Sequence, residues 1–340
     1  MLLASCGQQE INDNVMGDNT ETIKLTDFVA AAKVTPIFED SCYTVGEVLK
    51  VVKSKDAYLV LDHQRKSIVK YDYSGNPVYK INRVGRAKGE YVNINDFCID
   101  AGGGDIILLC DPMKVIILDS IFNFKEAYNI DKYCQRVFSH EGVIYLYSDT
   151  KRSLCALEEG KLRTIIEEGS LPAMGFYPSP IFYQMNHMLL YSAVCSDCIY
   201  SVSNKTAQPF FKFTFKRKNQ VYSKLKKVKP VGDWGIEELQ EFSPLKIVNI
   251  FENNEEYIIL YSYQFLIRCC RLDKNTHDII SDGILSTYSP LPMVSNGTPV
   301  IAADYMHQGK QVLDTLLYNE NQQFHIDEEE MHTIIEYALK

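Results

Sequence analysis

Few residues in this 340-residue chain stand at spacings that catalysis demands. The sequence holds no G-x-S-x-G elbow, no H-E-x-x-H pair and no phosphate-binding loop, and Ala101-Gly-Gly-Gly104 lies between strand patterns as a turn with no helix to follow. Cys195-Ser-Asp-Cys198 has redox or zinc spacing. It lacks a second C-x-x-C or paired histidines, however, and sits between two strand patterns rather than opening a helix. Seven histidines are dispersed at 63, 140, 187, 277, 307, 325 and 332. Convergence of His63, His140 and His307 on one axis would make a metal site, whereas single loop histidines are ordinarily solvated. The nine cysteines after Cys6 are odd in number and scattered through apolar runs, so they read as small buried hydrophobes rather than a disulfide framework. No cofactor is expected, with a divalent metal on those three histidines as the alternative.

Charged and aromatic residues that could bind a ligand are more numerous. They fall in Asp62-His63-Gln-Arg65-Lys66, Arg83 to Tyr91, Asp111-Pro-Met-Lys114, Asp149-Thr-Lys151-Arg152, Leu171 to Pro180, Asp197 and Asp304-Tyr305-Met-His307. Aromatic faces stack on sugar rings or peptide groups while Arg and Asp supply oriented hydrogen bonds. The recurring Asp is read as an Asx turn with its own backbone. The candidate binding residues are Arg65, Arg86, Lys88, Tyr91, Arg152, Tyr177, Trp234, Tyr305 and His307.

What must position these loops is a repeat. A β-branched or aromatic run ending in a turn occurs six times: Tyr58 to Asp62, Ile106 to Asp111, Val143 to Asp149, Met188 to Ser192, Tyr257 to Ser262 and Pro299 to Asp304. The starts lie 48, 37, 45, 69 and 42 residues apart. Around each copy the chain reads as four short strands, with Glu47 to Val52, Tyr58 to Leu61, Ser67 to Tyr71 and Val78 to Ile81 in the first. Four antiparallel strands per repeat without helices make an all-β, six-bladed β-propeller, spanning 21–326. On that assignment the loops above, between second and third strands or from blade to blade, share one face.

The ring needs a strand from one end of the chain to complete its last blade. Glu21 to Thr26 and Gln322 to Ile326 both qualify. Residues 327–340 carry a capping-box-like Asp327 and Glu330, with Met331, Ile334, Ile335, Ala338 and Leu339 on one helical face, and are expected to form a short amphipathic helix packed on the propeller. The 69-residue spacing holds an insertion at about 212–243, between blades four and five. It has eight Lys or Arg between Lys212 and Lys229, then the only Trp, Trp234, and then an acidic run.

Tyr71-Asp-Tyr-Ser-Gly-Asn-Pro-Val-Tyr79, Arg83-Val-Gly-Arg-Ala-Lys-Gly-Glu-Tyr91 and Phe97-Cys-Ile-Asp100 resemble the corresponding run of six-bladed propeller lipoproteins of Bacteroidetes, relatives of NHL-repeat and TolB-like propellers. The family's Gly-Pro before Gly-Glu-Tyr is Ala87-Lys88 here. The resemblance implies an envelope protein and brings no catalytic residues with it. Leu3-Ala-Ser-Cys6-Gly7 is similar to a bacterial lipobox, which marks Cys6 for lipidation, and the polar stretch to Thr20 suits a flexible tether.

With 46% apolar and 23% charged residues the chain has ample core, and a net charge of −9 argues against nucleic acid. No apolar run reaches the 18 residues a spanning helix requires, so the membrane is reached only through the lipid. The expectation is a lipoprotein on the periplasmic side or outer surface of the cell envelope. It would serve as a non-catalytic binding or scaffold propeller for a glycan, peptide or protein partner. The alternative is a propeller hydrolase or lyase with a metal near the axis.

Overall fold

The computed structural model describes residues 15–16, 19–169, 181–186, 188–215, 245–263, 266–285, 294–295, 298–304 and 332–340. They form six blades, each with four antiparallel strands, besides a short parallel pairing of Val15–Met16 with Thr214–Phe215, and the first strands of neighbouring blades meet around a common axis. Blade one is Val48–Lys53, Tyr58–Asp62, Ser67–Tyr71 and Pro77–Ile81; blade two is Asn93–Ile99, Ile106–Asp111, Lys114–Leu118 and Phe124–Asn129. Blade three runs from Arg136–His140 to Lys161–Glu167, blade four from Phe182–Gln184 to Thr206–Lys212, and blade five from Lys246–Glu252 to Ile279–Leu285.

Burial follows position within a blade. The second strand of blade one, Tyr58–Asp62, is buried at every residue because neighbouring blades cover both of its faces. The outermost strand of blade two, Phe124–Asn129, has no buried residue. Bulges interrupt the innermost strands at Val48/Lys50, Ile94/Asp96 and Ile247/Asn249, which puts Lys50, Asp96 and Asn249 at matching places in blades one, two and five. Buried Asp96 accepts from Lys50 Nζ at 2.8 Å and from the Val137 N–H at 2.9 Å, joining the inner strands of three consecutive blades. Outer hairpins are capped by Asx turns. Asp72 accepts from the Ser74 and Asn76 N–H groups at 2.8 and 2.9 Å, and Asp119 accepts from Ile121 and Asn123 at 3.0 and 2.8 Å.

The last blade differs from expectation at both of its outer strands. Its strands are Val294–Ser295, Thr298–Asp304, His332–Leu339 and Val29–Pro36. Thus no C-terminal helix forms over 332–339; that segment is a strand hydrogen-bonded on both edges, to Val300–Asp304 and to Val29–Pro36. Thr333-Ile334-Ile335 is a β-branched run, and Thr333, Ile334, Ile335 and Tyr337 are buried on both faces of the sheet. A strand between two partners satisfies the same apolar positions that a helical face would, and tertiary pairing decides. An N-terminal strand does complete the ring, but it is Val29–Pro36 rather than 21–26; residues 322–326 lie outside the described residues. Thr22–Ile23 instead adds a parallel fifth strand to blade five, beside Ile284 and Leu285.

Closure is reinforced by side chains. Glu336 accepts from Lys53 Nζ at 2.6 Å and from the Tyr58 hydroxyl at 3.0 Å, tying blade six to blade one. Ahead of it, Arg268 donates to the Asn19 carbonyl at 2.6 Å and to Asp282 at 3.3 Å, holding the N-terminal strap against blade five. Gly283 is required there, since a Cβ at that position would stand 2.5 Å from the Glu21 carbonyl oxygen.

Candidate functional site

Meander order sends the loops between second and third strands, and those from blade to blade, to one end of the axis. The described parts of that face include residues 63–66, 82–92, 130–135, 149–152 and 192–197. Within it the turn Asp sorts as the Asx reading requires: Asp62 accepts from the Arg65 N–H at 3.1 Å and also from the Gly46 and Glu47 N–H groups at 2.9 and 3.2 Å, so it fastens the incoming loop as well.

The loop Arg83 to Tyr91 has an internal framework. Tyr91 is fully buried between blades one and two; its hydroxyl accepts from the Arg83 N–H at 3.1 Å and donates to the Ile81 carbonyl at 3.4 Å. Burial pushes that phenol up to about 12. The Glu90 carboxylate accepts from the Ala87 N–H at 2.9 Å, and the Glu90 N–H donates to the Ala87 carbonyl at 3.0 Å. This clamp supplies the tight turn without a proline. A Cβ at Gly85 would sit 2.0 Å from Glu90 Oε2, and one at Gly89 would sit 2.8 Å from the Phe124 ring, so a larger residue at either position would displace the Glu90 carboxylate or the Phe124 ring. Lys114 donates to the Ala87 carbonyl at 3.3 Å, and Arg83 donates to the Phe122 carbonyl at 2.7 Å. Arg86 and Lys88 are the charged residues this scaffold leaves exposed, beside Val84 and Ala87.

Arg152 is a rim residue by position only. It is 6% exposed, in the left-handed region at φ 48°, and its guanidinium donates to the carbonyls of Gly169, Val194 and Glu168 at 3.1, 3.0 and 2.9 Å. The Glu168 carboxylate lies 3.2 Å away. Burial raises the Glu168 pKa, partly offset by the Ser196 hydroxyl and by Arg152. Arg65 is exposed, its guanidinium 3.7 Å from Asp62. Cys6, Tyr177, Trp234, Tyr305 and His307 lie outside the described residues, as does the insertion beyond Phe215.

His63 and His140 do not converge. His63 follows the second strand of blade one, on the loop face, whereas His140 ends the innermost strand of blade three, at the opposite end of the axis. His140 Nδ1 instead meets Gln184 Oε1 at 3.2 Å. Cys195 and Cys198 are both buried, and burial pushes their thiols up to about 12 and about 11, away from nucleophilic or ligating chemistry. Arg136, Lys246 and Tyr133 also reach the loop face; nothing local in the sequence marks them, because each is one polar or aromatic residue at the edge of an ordinary strand.

Residues 10–296 match the family described as domain of unknown function DUF4934. The chain belongs to that family. No curated protein matches this DUF4934 member. Among solved structures it is similar to a protein of Bacteroides fragilis NCTC 9343 described as exported, with TM-score 0.66 and 16% identity over 94% of this chain and 99% of that one. It is also similar to a DUF4221 family member from Bacteroides vulgatus ATCC 8482, with TM-score 0.53 and 11% identity over 92% and 97% of the two chains. A streptogramin B lyase aligns at TM-score 0.50 and 14% identity over 91% and 98%. At these identities the likeness establishes the fold alone, and the sheet order gives its six blades. The DUF4934 chain is thus a propeller of the kind found in Bacteroidetes exported proteins.

Proposed function

We propose that this DUF4934 protein is a non-catalytic binding propeller of the cell envelope, lipid-anchored through Cys6, that holds a glycan, peptide or protein partner on its loop face. The observation that carries the reading is the Arg83 to Tyr91 loop: two glycines, a carboxylate clamp and a buried tyrosine spend their chemistry on fixing a turn that presents Arg86 and Lys88 to solvent. A rigid mount for exposed side chains suits recognition, because preorganised groups lose little entropy on binding. Arg65 from the preceding loop is proposed to share this rim, together with Tyr177, Trp234, Tyr305 and His307, which lie outside the described residues. Export of a fold-level neighbour supports placement in the envelope. Among the described residues no helix is long and apolar enough to cross a membrane, which leaves the lipid as the proposed attachment.

The alternative, a hydrolase or lyase with an axial metal, loses support from the separation of His63 and His140 to opposite ends of the axis. The test is a screen of envelope glycans and peptides read through the fluorescence of Trp234, with each bound compound weighed by mass spectrometry afterwards. Saturable binding with the compound intact supports the reading. Bond cleavage, or elimination across a bond of the compound, would replace it with the enzyme.

A further inference from the structure

Two cations at the loop-face mouth of the axis have no carboxylate partner among the described residues. Arg136 opens the innermost strand of blade three and Lys246 opens that of blade five, so both stand at the same end of the axis and flank blade four. Each is partly buried. The Arg136 guanidinium donates to the neighbouring Gln135 carbonyl at 2.7 Å, and among the described residues no carboxylate pairs with Arg136 or with Lys246. Two carboxylates on this side of the ring are committed elsewhere: Glu168 to Arg152 and the Ser196 hydroxyl, at 3.2 and 2.8 Å, and Asp96 to Lys50 and the Val137 N–H.

Such a pair is unfavourable when empty. Burial lowers the Lys246 ammonium below its ordinary value and the Arg136 charge adds to that, while only the Cys195 thiol acts in the other direction. In a protein of net charge −9, supplying a carboxylate to such a pair would require a single substitution, yet among the described residues none is supplied. An incoming anion would regain what the fold forgoes, with the Arg fork offering two parallel hydrogen bonds to a carboxylate and the Lys a point charge. Tyr133, three residues before Arg136 in the connection that leads into it, is 53% exposed. An exposed aromatic ring on the same face as two cations suits a ring that carries one carboxylate, whose apolar face lies on the phenol.

We propose that the axial mouth of the loop face binds a carboxylate-bearing saccharide, with the carboxylate held between Arg136 and Lys246 and the sugar ring on Tyr133. This deepens the binding reading above and rests on it. The test is calorimetric titration of the full-length chain with a galacturonic acid trisaccharide, its neutral methyl ester and a tetraglutamate peptide. Saturable binding of the trisaccharide is expected, at least tenfold weaker for the ester, at least tenfold weaker in Arg136→Gln and in Lys246→Met, and severalfold weaker in Tyr133→Ala. Arg136→Lys, which keeps the charge and loses the fork, should retain part of the affinity, and equal melting temperatures should show that each variant is folded. No binding of the trisaccharide, equal binding of its ester, or indifference to both cation substitutions would overturn the proposal, as would a stronger response to the peptide. Loss of the uronate signal alongside another ligand that Arg86 and Lys88 govern would sink this proposal and leave the rim reading standing; absence of any ligand in the wider screen would remove that reading itself.

Discussion

Removing the Tyr91 hydroxyl strands the Arg83 N–H and the Ile81 carbonyl in a site where water does not reach. Tyr91→Phe is therefore expected to lower unfolding free energy by about 1–2 kcal/mol, read as an earlier midpoint in urea with an unchanged slope. An unmoved midpoint would mean that the loop framework is not held from below. Arg152 is a stronger case, since its loss leaves the Glu168 carboxylate buried without its cation. Arg152→Met should cost about 3–5 kcal/mol, and a loss below about 1 kcal/mol would contradict the buried-pair account. Thiol chemistry gives an independent check. Cys42 is the exposed thiol among the described residues, while the others are buried, with Cys134 and Cys269 pushed up to about 12 alongside Cys195. In a Cys6→Ser chain at pH 8, a disulfide reagent should modify Cys42 promptly and the rest only after denaturation. Rapid modification of Cys195 or Cys198 would reopen a redox role.

The N-terminal strap packs on blade five and leads into Val29–Pro36, the strand that closes the ring. Replacing Gly283 by Val puts a Cβ 2.5 Å from the Glu21 carbonyl and 3.0 Å from Ile23, so the strap must lift and the core residues Ile23 and Leu25 lose cover. The expected cost is about 1–3 kcal/mol, accompanied by faster proteolysis between residues 19 and 28. Unchanged proteolysis would show that the strap does not need blade five. Here the limits of sequence reading become physical. The repeat was legible because a strand covered on both faces must be apolar throughout, as in Ile106-Ile-Leu-Leu, and the turns because Asp72 and Asp119 sit where Asx geometry requires them. Thr333 to Leu339 was not, since apolar residues at 334, 335, 338 and 339 satisfy helix and strand alike, and the choice is made by partners some 300 residues away in the chain. In the site, the Gly85 to Tyr91 motif was visible but its inward half was not: no local pattern separates Tyr91, which points into the core, from Lys88, which does not. Arg152 was misleading for the same reason, a charged loop residue whose partners are Glu168 and Gly169, after the last strand of its blade, and Val194 of the next blade.

The whole molecule is a closed ring, acidic overall, in which buried Asp96, Arg152 and Arg268 are paired within the fold while Arg86 and Lys88 stand exposed on the loop face. If Cys6 carries the anchor, Cys6→Ser should move the protein from the membrane fraction to the soluble one without altering its melting temperature. Retention on the membrane would point to a different attachment. The central claim is that the loop face binds through side chains that the fold does not itself use. Its most direct test is the affinity of the best ligand from the glycan and peptide screen for the native chain and for the Arg86→Glu, Lys88→Glu double variant. The account predicts at least tenfold weaker binding by the variant with an unchanged melting temperature, because neither side chain contributes to packing. Equal affinity in the two proteins would contradict it.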